Sequence, residues 1–274
     1  MSADPSLEYG YARLSARLSA RPDDRLWRQL RSARSLQAAI DAVRASPAAP
    51  YVAGVAMRGT TDSIELAFRQ HLRARVREAT AWAPQAWQAA LRYTELLVDL
   101  PVIQHLLGEA RPPRWLLDDP HLSSLALADR VARRARLAQG PLAPLAAALA
   151  QQQAARRAGT GRGGEALHPL LQAWQAQWQQ RWPRCGEQQR ASLLLLARTV
   201  RTHLAGFAGL PTEAATASRE RLAERVRRQL HDAAGQPAAL FAYLLLVALD
   251  LERLRGEFVL RAAGLALVDT QAAP

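Results

Sequence analysis

The chain has 274 residues and a formal net charge of +12 at pH 7; all 36 of its basic side chains are arginine. With 49% apolar and 22% charged residues, it has the composition of a folded globular chain, which excludes a disordered or fibrous one. A single cysteine, Cys185, excludes an internal disulfide framework and any cysteine-based zinc site.

Read from the start, Met1-Ser-Ala-Asp-Pro5 lacks the basic opening and apolar stretch of a signal peptide. A first helix is expected from Leu7 to Leu18, stopping before Arg21-Pro22. Asp23 or Asp24 caps a second over Arg25 to Ala33, and Ser35 opens a third over Leu36 to Arg44. Ala48 to Thr61, with Pro50 and two glycines, reads as irregular. Pro112-Pro113 ends a later helix, and the glycine-rich run over 157–164 reads as a flexible loop. The longest apolar stretch, Ala238 to Leu249, is closed by Asp250 and falls well short of the roughly 20 residues that cross a bilayer. Runs of alternating β-branched residues are nearly absent, so the predicted fold class is all-α, as a single domain over 1–274 with N-terminal helices over 7–46.

A larger pattern repeats three times, over about 62–110, 167–207 and 218–265. In each unit an amphipathic helix is followed by a proline or glycine break and a longer, more apolar helix. The first has Ile64, Phe68, Leu72 and Val76 at i, i+4 spacing among Arg69, Arg73, Arg75 and Arg77, then Pro84, then Trp87 to Leu107. The second has Leu170, Leu171, Trp174 and Trp178, a break at Pro183 and Gly186, then Ala191 to Phe207. The third sets Leu222, Val226 and Leu230 opposite Arg221, Arg225 and Arg228, then Gly235 and Pro237, then Ala238 to Ala263. A helix polar on one side and apolar on the other must lie against something. Each unit is therefore expected to form a helical hairpin, and three units a quasi-threefold assembly of the kind that receives partners.

Chemistry-bearing patterns are missing. The histidines at 71, 105, 121, 168, 203 and 231 never stand one helical turn apart, as a ligand pair requires. The glycines of 159–164 lack the Gly-Lys-Ser/Thr ending of a phosphate loop. Asp23-Asp24 and Asp118-Asp119 sit beside helix starts, where capping explains them. No nucleophile elbow appears, and no nucleic-acid module is readable. No catalytic residue, cofactor or metal ligand is predicted. The arginine surplus has two readings: codon usage that favours arginine on solvated faces, or attraction to an acidic partner, an anionic lipid surface or nucleic acid. Arg73, Arg77, Arg225 and Arg228 cluster on the polar helix faces and are expected to be exposed docking arginines.

The order of blocks resembles the C subunit (d in eukaryotes) of V/A-type rotary ATPases. Tyr9-Gly-Tyr-Ala-Arg13 is similar to the family's opening helix, and Ser35-Leu-Gln-Ala-Ala39 with Tyr51 to the block after it. An acidic, leucine-rich motif then has three counterparts here. They are Asp99-Leu-Pro-Val-Ile-Gln-His-Leu-Leu107, Leu196-Ala-Arg-Thr-Val-Arg-Thr-His-Leu204, and Asp250-Leu-Glu-Arg-Leu-Arg255 before Gly264-Leu265. The chain departs from the family at its asparagine, replaced by Val102, Thr199 and Arg253, at Leu196 where an aspartate would stand, and at Pro101. It also looks shorter than usual, with Gln151 to Gly164 the place of loss.

The resemblance implies a funnel of three helical hairpins on the cytoplasmic face of the membrane, with no active site of its own. Its partners would be the central-stalk subunits D and F and the rotor ring of proteolipid subunits, with anionic lipid headgroups within reach. Motif positions expected to matter are Asp99, Arg201, Asp250 and Arg255. Outside that family, the same features fit a helical scaffold with other partners, or a nucleic-acid binder without sequence preference.

Overall fold

The computed structural model describes residues 5–107, 111–139, 142–157, 167–207 and 211–264. Among them are twelve α-helices and no strand. In chain order they are α1 Pro5–Leu18, α2 Asp24–Ser32, α3 Leu36–Arg44, α4 Thr61–Trp82, α5 Gln85–Arg92 and α6 Leu100–Leu107. After these come α7 Arg130–Leu137, α8 Ala143–Arg157, α9 Leu167–Gln179, α10 Glu187–Phe207, α11 Thr212–Asp232 and α12 Pro237–Ala262. Short 3-10 turns lie at Ala49–Val52, Tyr93–Val98, Arg114–Asp118 and Ser123–Leu125.

The starts follow local chemistry. The carboxylate of Asp23 accepts from the Leu26 N–H and the hydroxyl of Ser35 from the Ala38 N–H, which satisfies first-turn donors that lack a partner in the helix. Pro237 occupies the first turn of α12, where its missing N–H costs nothing. Just before it, Gly235 turns the chain at φ +68°, a conformation that a Cβ disfavours.

α12 is the axis of the fold. Of its 26 residues 14 are buried, because α1, α3, α4, α10 and α11 all pack on it. A helix apolar nearly all round needs such a surround. On α4 the stripe Ile64, Phe68, Leu72 and Val76 is buried as its spacing predicts, and Phe68 meets Phe258 of α12 with ring centroids 5.7 Å apart. α1 crosses α4 so closely that a Cβ at Gly10 would stand 3.1 Å from the Trp82 carbonyl oxygen.

The three expected hairpins fare differently. The third forms: α11 lays Leu222, Val226 and Leu230 against α12 and keeps Arg221, Arg225 and Arg228 outside. In the first, the expected run from Trp87 to Leu107 is broken into α5, a 3-10 turn and α6, with Asp99 at the joint. Pro101 sits at the second position of α6 and cannot extend the preceding hydrogen-bond ladder. In the second, α9 packs against α6, α8 and the Tyr93–Val98 turn, whereas α10 packs against α11 and α12. An aromatic column holds α9 there. Trp174 stacks on Tyr93 and on Trp178, with centroids 5.9 and 5.5 Å apart, and Trp178 meets Phe241 edge-on at 5.1 Å. The Trp174 indole N–H also donates to the Tyr93 carbonyl at 3.2 Å. The expected loop over 157–164, apart from Arg157, lies outside the described residues, as does Leu265 of the last motif.

Candidate docking site

Beside its apolar stripe α4 carries a second, charged one at the same spacing: Glu65, Arg69, Arg73 and Arg77. The segment after α5 folds back over it and brings two carboxylates. Asp99 Oδ1 accepts from Arg69 Nη1 and from Arg73 Nη2, both at 2.9 Å. Arg73 Nη1 donates to Asp119 Oδ2 at 2.8 Å, and Arg69 Nε to Glu65 Oε1 at 2.7 Å. From α12, Arg255 Nη1 reaches Glu65 Oε2 at 3.0 Å. Six side chains thus form one chain of alternating charge, and Trp115 covers it with its ring 4.4 Å from the Arg69 guanidinium.

The expectation that Arg73 is an exposed docking residue is corrected here: its relative exposure is 2%, and Asp99 and Asp119 are at 0%. The physical reason is neutralisation. Arginine enters a core only when carboxylates meet its planar fork, and two do so here from a later segment. No α-helix starts at Asp119, which follows the 3-10 turn Arg114–Asp118; its Oδ1 instead accepts from the backbone N–H groups of His121 and Leu122 in the next turn while Oδ2 takes Arg73. Burial pushes the Asp99 carboxyl up to about 6 against the pull of Arg73 and Arg69. Its Oδ2 has no hydrogen-bond partner, which leaves the charged form poorly solvated on that side.

Asp250, on α12, is clamped in the same manner. Arg21 meets it bidentately, Nε to Oδ2 at 2.6 Å and Nη2 to Oδ1 at 2.9 Å, and the Tyr51 hydroxyl lies 3.5 Å from Oδ2. Burial raises the Asp250 carboxyl, and Arg21 opposes that rise. Burial and the nearby Asp250 likewise raise the Tyr51 phenol. The Tyr51 ring stacks on His71 at 5.4 Å, and burial with Arg75 alongside lowers that imidazole to about 4.

The middle motif copy has no such clamp. Leu196, at the position of the acid, is buried in an apolar wall. Thr199, at the asparagine position, accepts from Gln229 Nε2 at 2.8 Å, and Arg253 at the third such position lies over Trp27 at 4.1 Å. Arg201 lines a cavity between α9 and α10.

The remaining predicted docking arginines, Arg77, Arg225 and Arg228, are exposed. Arg228 lies 3.8 Å from Glu224; Arg77 and Arg225, with Arg198 and Arg221, form no ion pair among the described residues. Burial first, then the positive field of Arg219, Arg225 and Arg221, lowers the pKa of His203 on α10, so the flank of α10 and α11 is cationic. Around it Leu194 and Leu195 of α10 are 38% and 51% exposed. Glu220 and Glu224 of α11 pair with Arg253, Arg227 and Arg228. Arg198, Arg221 and Arg225 form no ion pair among the described residues, and that cationic excess suits an acidic partner.

The sequence singles out Asp99, Asp250 and Arg255 as motif positions, but not their pairing with Arg69 and Arg73, with Arg21 and Tyr51, and with Glu65. The i, i+4 run of Glu65, Arg69, Arg73 and Arg77 carried that signal, since a charged stripe beside an apolar one can mark a second buried face. Among the described residues no three His, Cys, Asp or Glu side chains converge as a metal site needs. Comparison with family models, with curated proteins and with solved structures finds no match.

Proposed function

We propose that the chain is a non-catalytic coupling subunit of a V/A-type rotary ATPase, docking the central stalk onto the membrane rotor ring and passing torque between them. The observation that carries this reading is the equivalence of Asp99 and Asp250. They stand at the same place in two copies of the acidic motif, and each is buried and gripped by arginine from an earlier part of the chain. Each clamp ties segments far apart in the chain, which supports a helical body that turns as one unit. In this reading α4 to α6 and α11 with α12 are the first and third units of the funnel, and α9 with α10 is a second unit that has opened. No helix among the described residues is long and apolar enough to cross a membrane, which fits a peripheral seat on the ring. The cationic flank of α10 and α11 then receives acidic groups of the stalk or lipid headgroups.

The test is analytical size exclusion of the purified protein with stalk subunits D and F from the same organism. Co-elution as a defined complex at moderate salt is expected. Separation of the folded components would remove the rotary reading and leave a helical scaffold for other partners.

A further inference from the structure

Because α9 is drawn toward Tyr93 and Phe241 while α10 stays with α11, a cavity of about 100 Å³ opens between them. Leu72 and Val76 of α4 and Leu244 of α12 form part of its lining, Trp174 and Trp178 one wall, and Val200 part of the other. Phe241 to Ala248 of α12, both on the lining, span about 10 Å at the helical rise of 1.5 Å per residue. At about 100 Å³ the space is too small for a helix of roughly 10 Å diameter, but it is open on one side, so a slim alkyl chain can lie partly in it and partly along its mouth.

One lining residue is charged. Arg201 forms no ion pair among the described residues, and its Nε is buried without an acceptor. The other polar lining residues, Thr94 and Gln175, are neutral, so among the described residues nothing on the wall balances the guanidinium. A buried donor without an acceptor is costly, and a carboxylate offers the planar pair of oxygens that matches it. We propose that this cavity binds a medium-chain fatty carboxylate, with its tail among Leu72, Val76, Trp174 and Trp178 and its head on Arg201. Long apolar walls supply affinity, and the lone guanidinium supplies the preference for an anionic head.

This site does not depend on the docking reading, and its test requires only the isolated chain. Decanoate and decyltrimethylammonium, which share a tail and differ in head charge, are titrated below micelle formation by calorimetry and by the fluorescence of Trp174 and Trp178. Decanoate is expected to bind one to one and at least about tenfold more tightly than the cation, as a charge-assisted pair provides. Arg201→Gln should erase about tenfold of that preference while keeping the helical circular dichroism. Ala197→Trp, which fills the cavity from α10, should abolish saturable binding by both probes. Absence of saturable decanoate binding, an unchanged preference in Arg201→Gln, or full binding by a folded Ala197→Trp variant would each overturn the proposal.

Discussion

At neutral pH the Asp99 carboxylate faces two guanidinium groups at 2.9 Å in a site closed to solvent. Arg73→Gln leaves Asp99 and Asp119 buried without the cation they share. Breaking one partner of a buried pair costs about 3–5 kcal/mol. Urea unfolding at pH 7.5 or thereabouts should show a loss in that range, and a loss below about 1 kcal/mol would mean that the network is not buried as described. His71 gives a pH-dependent counterpart. Its folded pKa of about 4 lies below the ordinary 6.5, so the native state binds that proton more weakly than the unfolded chain. The stability this contributes is full above about 6.5 and is lost as pH falls toward about 4, by roughly 3 kcal/mol. Asp99, raised to about 6, acts in the opposite sense, its contribution present at low pH and lost as pH rises through about 6. The raw pH profile therefore mixes the two. The difference between the wild type and His71→Gln isolates the histidine, and should shrink by roughly 3 kcal/mol from pH 7 to pH 4. A pH-independent difference would place a charged imidazole in the native state.

Among the elements, α12 bears the most. Phe258 is fully buried and fills the space between α12 and Phe68 of α4. Phe258→Ala should cost about 3–5 kcal/mol by denaturant unfolding, since a cavity is left where two rigid helices cannot collapse together. A cost near 1 kcal/mol would show that the contact between α4 and α12 relaxes easily. This burial was legible in the sequence, because an apolar run from Ala238 to Leu249 has no solvated face to offer. So was the α4 stripe. The break within the first unit was less legible: Pro101 marks it, but proline near a helix start is also tolerated, and the burial of Asp99 depends on arginines some 26 and 30 residues earlier. The opening of the second hairpin was not legible. Trp174 and Trp178 announce a buried face on α9, yet nothing in their spacing says that the surface they meet is Tyr93 and Phe241 rather than α10.

Across the whole molecule, charge is sorted rather than spread. Arg21, Arg69 and Arg73 are consumed in buried pairs and Arg255 in half-buried ones, whereas Arg77, Arg198, Arg221 and Arg225 face outward with no ion pair among the described residues. If the cationic faces dock the partner, the triple variant Arg77→Glu, Arg225→Glu, Arg228→Glu should weaken the complex with the stalk subunits at least about tenfold and flatten its salt dependence. Unchanged assembly and salt response in size exclusion would remove these arginines from the interface. The all-helical class, the burial of α12 and its packing with α11 were readable from the order of residues alone. Those follow from periodicity and breakers, which act over a few residues along one chain. Which arginines become buried, and where α9 lies, is settled by long-range packing. Those outcomes depend on carboxylates and aromatic rings brought from distant segments, and one helix's pattern records that it has a face to cover but not what covers it.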